Sequence, residues 1–225
     1  MLLFIKYIKY FRIKDYWALS SEDASIAKEL LKNFKGISIR EQGSIDLIKK
    51  NFEIIPEVVL DPTLLIDKKY YLDLIKNYIN NNNNIKNYIF VYNIGHIGLK
   101  EIHNFILKAS SELNYNIYEY KLDNNNIEDF IYYLIKSKAV ITNSFHGTIF
   151  SIIFNKSFIS FNLKGTAEER LKSLGHLLGV GNRIISNNQQ PKIRLLTTPL
   201  IYNNSILEKL KVNSINFIKK NLDII

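Results

Sequence analysis

From residue 88 onward, apolar and polar positions alternate between two periods. Short runs of β-branched and aromatic residues at 88–92, 116–120, 139–142 and 158–161 read as strands. Between and after them, stretches with apolar residues three and four apart predict helices over 99–113, 127–135, 148–154 and 167–178. Strands alternating with helices of this length predict an α/β fold, a parallel sheet with helices on both faces. The earlier part of the chain is less regular. It suggests a helix over 24–34 capped by Ser20 or Ser21, a strand at 36–40, a helix at 44–51 and a strand at 58–60. That last strand should stop at Asp61-Pro62, because the residue before proline avoids helical geometry. A helix follows over 69–78, and the asparagine run 80–84 reads as low-complexity loop. Finally, Leu207, Leu210, Ser214, Phe217 and Ile218 share one face of a helix over 206–222. No internal repeat is visible.

One junction stands out chemically. The run Ala139 to Thr142 ends in Asn143 and Ser144, whose side chains can bond backbone N–H groups. Phe145, His146, Gly147 and Thr148 follow, leading into the apolar run 149–154. A histidine at a strand-to-helix junction sits where the N–H groups of a helix's first turn and its dipole favour an anion. Gly147 would allow close approach of a ligand to the backbone.

Composition narrows the options. A chain of 225 residues, 47% hydrophobic, can bury one substantial core or a domain plus part of another. Without cysteine there is no disulfide, no thiolate zinc site and no cysteine nucleophile. The formal charge of +9 favours anionic partners. The basic residues are dispersed among acidic ones, so nucleic acid is not expected. No apolar run reaches the roughly 20 residues that span a bilayer. The expectation is a cytoplasmic protein without an integral membrane segment. Gly175, Gly179 and Gly181 end a helix instead of joining a strand to one, so they are not a dinucleotide fingerprint. Neither a phosphate-binding Walker loop nor a serine nucleophile elbow is present.

The run Asn143 to Thr148, followed by Phe158-Ile-Ser-Phe161, resembles the signature of the polysaccharide pyruvyl transferase family. Further blocks occur in the family's order: Gly36-Ile-Ser-Ile-Arg-Glu41 with Ser44, Val58-Val-Leu-Asp-Pro-Thr-Leu-Leu65, and Tyr88-Ile-Phe-Val-Tyr92. So do Glu168-Glu-Arg-Leu-Lys-Ser-Leu174 with Gly179 and Arg183, and the closing Ser214-Ile-Asn-Phe-Ile218. The resemblance covers about residue 34 to the C-terminus.

That resemblance implies two facing Rossmann-like α/β domains in a glycosyltransferase-B-like arrangement. Residues 1–66 would be the remnant of an N-terminal domain with its connection, 67–202 the C-terminal domain carrying His146, and 203–225 a packing helix. It also implies a reaction without cofactor. The carboxyvinyl group of phosphoenolpyruvate moves onto two hydroxyls of a surface or exopolysaccharide precursor, giving a pyruvate ketal and phosphate. The expected partners are phosphoenolpyruvate and a saccharide acceptor. Peripheral association with lipid-linked glycans at the inner face of the cell membrane, and a homo-oligomer, are compatible with it.

His146 is the candidate acid, or else the anchor of the phosphate or carboxylate. Arg40 could grip an anion with two parallel bonds, form a surface pair with Glu41, or be neutralised by another carboxylate. Lys164 and Arg170 border the same sheet edge, with Asn143, Ser144, Gly147 and Thr148 as further ligand contacts. Asn93, His96 and Asp61 are weaker candidates at strand ends. Two alternatives stay open: a nucleotide-sugar glycosyltransferase of similar architecture, and an inactive fragment or binding module.

Overall fold

The computed structural model describes residues 3–4, 21–78, 86–95, 99–121, 126–162, 168–186 and 189–222. The chain divides into two compact units. Residues up to Leu65 together with those from Asn204 onward make one, and Ile66–Asn203 make the other.

The first unit holds β1 (Leu3–Phe4), α1 (Ser21–Leu31), β2 (Ile37–Ile39), α2 (Ile45–Phe52), β3 (Glu57–Val58), α3 (Pro62–Leu65) and α9 (Asn204–Leu222). Strand β2 pairs antiparallel with β1 and parallel with β3. Ile48 and Phe52, four apart on α2, bury against Ile37, Ile39 and Leu31. Pro62 opens α3, a position where a missing N–H removes no helical bond. The expected stripe on α9 is observed, with Leu207, Ser214 and Phe217 buried. Ser214 ties α9 to the chain after β3: its hydroxyl accepts from the Leu60 N–H at 3.0 Å and donates to Leu210 O at 2.7 Å. The helix read from sequence as a separate closing segment thus packs inside the first unit.

The second unit is a Rossmann-like α/β fold. Its elements are α4 (Lys68–Leu74), β4 (Tyr88–Tyr92), α5 (Leu99–Leu113), β5 (Asn116–Glu119), α6 (Ile127–Lys136), β6 (Ala139–Thr142), α7 (Phe145–Ile153), β7 (Phe158–Asn162), α8 (Glu168–Leu178) and β8 (Ile184–Ser186). The five strands are all parallel, in the order β5-β4-β6-β7-β8. On one face Ile89, Val91, Ile141 and Ile159 pack against Ile102, Phe105 and Ile106 of α5. On the other, Phe90 and Tyr92 meet Phe130 of α6, which in turn meets Phe150 of α7. Burial on both faces explains why β4, β6 and β7 carry near-continuous apolar runs. The glycines after α8 do end that helix. Gly179 is left-handed at φ 70°, and the Val180 N–H closes back onto Gly175 O at 2.9 Å.

Several elements differ from the expectation: β3 ends at Val58, the short helix α3 follows it, and α4 ends at Leu74. Helix α7 begins at Phe145 and not at Thr148, because Ser144 caps it. Strand β8 was not anticipated; at three residues it is too short to show a period. The asparagine run 80–84 lies outside the described residues.

Candidate functional site

The strand order fixes where a ligand would sit. From β4 the chain passes through α5 to β5 at one edge, then returns through α6 to β6 on the other side of β4. The connections therefore diverge between the C-terminal ends of β4 and β6, and open α/β sheets bind ligands at such reversals. Here that edge carries Asn93 and Ile94 after β4, and Asn143, Ser144 and α7 after β6.

Each residue of the motif has a definable task. Asn143 clamps the two exits together: its side-chain oxygen accepts from the Ile94 N–H at 2.6 Å and its amide donates to Ile94 O at 2.9 Å. Ser144 is the N-cap of α7, its hydroxyl accepting from the Gly147 N–H at 3.3 Å. The same hydroxyl bonds the Tyr92 phenol. Burial raises that phenol's pKa above its ordinary 10.0, and the bond with Ser144 partly offsets the rise. Thr142, at the end of β6, donates to Tyr92 O and accepts from the Ser144 N–H at 3.0 Å. Thr148 is fully buried, donating to Ser144 O at 3.0 Å and sharing a hydrogen bond of 2.7 Å with Ser160.

Gly147 has a packing reason within this network. A Cβ at that position would collide with Thr142 Oγ1. Ser144 and Thr148 likewise use their hydroxyls to hold the helix start in place.

His146 is the exception. As the second residue of α7 it is exposed, beside the Phe145 ring at 5.7 Å between ring centres. Across the chain, Arg170 of α8 sets its guanidinium carbon 4.8 Å from the centre of that same Phe145 ring, a cation–π contact. The fold thus brings His146 and Arg170, 24 positions apart in sequence, against one phenyl group. Both lie beside the N-terminus of α7.

Arg40 belongs to the first unit, where its guanidinium is paired with Asp61 and largely buried. The other Asp61 oxygen accepts from the Thr63 N–H at 3.0 Å, so the Asp61-Pro62-Thr63 turn also supplies Arg40 with its counter-charge. Among the sequence readings for Arg40, neutralisation by a carboxylate other than Glu41 is the one observed, and that carboxylate is Asp61. Lys164 and His96 lie outside the described residues. Among the described residues, no group of three or more His, Asp or Glu side chains could hold a metal ion.

Sequence reasoning passed over Phe145, Ser160 and Asn162. The signal was present in β7: Ser160 and Asn162 are polar residues in a strand that a parallel sheet buries on both faces.

A family model described as polysaccharide pyruvyl transferase matches residues 16–165. The chain belongs to that family. The match includes the blocks at 36–41, 58–65, 88–92 and 143–148 as well as β7; the blocks at 168–174 and 214–218 fall beyond it. Membership implies a transferase with a saccharide acceptor. No curated protein and no solved structure matches the chain. No described helix is long and apolar enough to cross a membrane.

Proposed function

We propose that this chain contributes the donor-binding wall of a pyruvyl transferase that uses phosphoenolpyruvate and forms a cyclic ketal on a saccharide of a surface or exopolysaccharide precursor. The observation that carries this reading is the placement of His146: exposed, in the first turn of a capped helix, at the sheet's reversal point, with Arg170 on the neighbouring ring.

The chemistry needs a proton at the methylene carbon of the donor and cationic groups on its phosphate and carboxylate. His146, protonated, gives the proton, which makes the adjacent carbon electrophilic. A sugar hydroxyl adds there and surrenders its own proton to the histidine. The bond from that carbon to the phosphate oxygen then breaks, and phosphate leaves with the electron pair. A second hydroxyl closes the ketal, its proton passing to the departing phosphate. Arg170 and the first-turn N–H groups of α7 hold negative charge throughout, in a position where hydrogen bonds to an ionised group are strongest.

The test is turnover. Purified protein is mixed with phosphoenolpyruvate and a panel of glycans, and phosphate release is followed together with the mass of the product. His146→Gln should abolish both while leaving the unfolding midpoint unchanged. Sugar transfer from a nucleotide-sugar with release of the nucleotide and no reaction of phosphoenolpyruvate, or full activity in His146→Gln, contradicts the reading.

A further inference from the structure

Asn162 closes β7 at the same edge of the sheet. It is 2% exposed. Its amide nitrogen donates to Glu168 O, the first residue of α8, at 3.3 Å. That bond fixes which end of the amide is which, since only the nitrogen can donate to a carbonyl. The opposite atom, Oδ1, is buried and has no hydrogen-bond partner among the described residues. A buried acceptor left unpaired costs about 1–3 kcal/mol. Such a group persists where a ligand completes it.

Position and polarity say which ligand. Strands β6 and β7 pair with Thr142 opposite Ser160, so Asn162 stands two residues beyond that pair, level with Ser144 at the cap of α7. Asn162 also lies on the Ser160 side of the strand, the side that carries the Ser160–Thr148 hydrogen bond to α7. The adjoining α7 start presents donors and cations, which suit an anion. Oδ1 has the reverse character. It is a pure acceptor, it would repel phosphate or carboxylate oxygens, and only a donor satisfies it.

We infer that Asn162 is a specificity-determining residue of a saccharide subsite, its Oδ1 accepting a hydrogen bond from a sugar hydroxyl while the anion of the donor lies over the α7 start. This rests on the proposed pyruvyl transfer for the identity of the two ligands. A hydroxyl held next to the cationic groups would be in place to attack.

The experiment measures two affinities on the full chain. Phosphoenolpyruvate is titrated alone, and a panel of methyl hexopyranosides is titrated in its presence, for the wild type, Asn162→Ala and the near-isosteric Asn162→Leu. Removal of the acceptor should weaken binding of the preferred hexopyranoside about tenfold, the equivalent of one such bond. The dissociation constant for phosphoenolpyruvate should stay within about twofold, because the anion side keeps every contact. Unchanged sugar affinity in both variants overturns the inference, as does a parallel loss of both ligands, which would mark Asn162 as a scaffold residue. Wild-type protein that binds phosphoenolpyruvate but none of the sugars also overturns it and leaves the donor reading intact. Protein that binds sugars but no phosphoenolpyruvate contradicts the donor reading instead; a sugar loss in the two variants then still supports the subsite.

Discussion

Gly147→Ala isolates the packing that sets the α7 start. Alanine inside a helix normally gains about 1 kcal/mol over glycine. Here the added Cβ would collide with Thr142 Oγ1 and lie 3.1 Å from Thr142 Cβ and 3.2 Å from Cγ2. The hydroxyl is not at liberty to swing away, being bonded to Tyr92 O and to the Ser144 N–H. Overpacking of this kind costs about 1–3 kcal/mol. Weakening two buried hydrogen bonds adds about 1 kcal/mol each. Set against the helix propensity, the net expected loss is about 2–4 kcal/mol. The assay is a urea titration followed by circular dichroism, comparing midpoints at constant slope. The same substitution is then made in a Thr142→Ala background, where the obstructing hydroxyl is absent. There its cost should drop below about 1 kcal/mol, a coupling within the range seen for residues in contact. Thr142→Ser keeps the hydroxyl and should keep the full penalty. A Gly147→Ala chain as stable as the wild type would refute the reasoning, and so would an equal penalty in all three backgrounds.

Asp61→Ala should destabilise the chain by about 3–5 kcal/mol, since it leaves the buried Arg40 without its counter-charge. A loss under about 1 kcal/mol in the urea midpoint would show that the pair is not the buried one described. Ser144→Ala removes the cap of α7 and should cost about 1 kcal/mol, with a further loss of donor affinity as the helix start frays. Burial holds the phenols of Tyr88, Tyr92, Tyr118 and Tyr120 above their ordinary 10.0. The folded chain keeps protons there that the unfolded chain gives up above about pH 10, so this stability is present below that pH and is lost as pH rises. Lys156 acts in the opposite direction, held below its ordinary 10.5 chiefly by burial, so the net decline should emerge above about pH 10.5. Tyrosinate absorbance should then rise together with loss of the circular dichroism signal; ionisation of all tyrosines in a still-folded chain would contradict it.

Much of the fold was legible because its signals are local. The runs 88–92, 99–113 and 139–142 match β4, α5 and β6 residue for residue, and parallel burial explains the unbroken apolar strands. The strand order was not legible, because nothing local says that the chain returns past β4. The start of α7 was misplaced by three residues because Ser144 and Gly147 look like loop residues until the cap and the Thr142 contact are seen together. His146 was legible from its neighbours in sequence. Its association with Arg170 through Phe145 was not, as it depends on how α8 folds back over the sheet edge. The Arg40–Asp61 pair likewise joins residues 21 apart. Asn162 escaped notice because what marks it is an atom without a partner among the described residues, which only three-dimensional hydrogen bonding reveals.

The central claim is that the α7 start with His146 and Arg170 receives the anion of phosphoenolpyruvate. Backbone amide NMR of the full chain during a phosphoenolpyruvate titration reads it directly. Saturable shifts should be largest at Phe145, His146 and Gly147, and Arg170→Ala should weaken the affinity about 10- to 100-fold, the range for one hydrogen bond to a charged group. Saturable shifts centred elsewhere on the chain, or no saturable response in the wild type, would contradict the account.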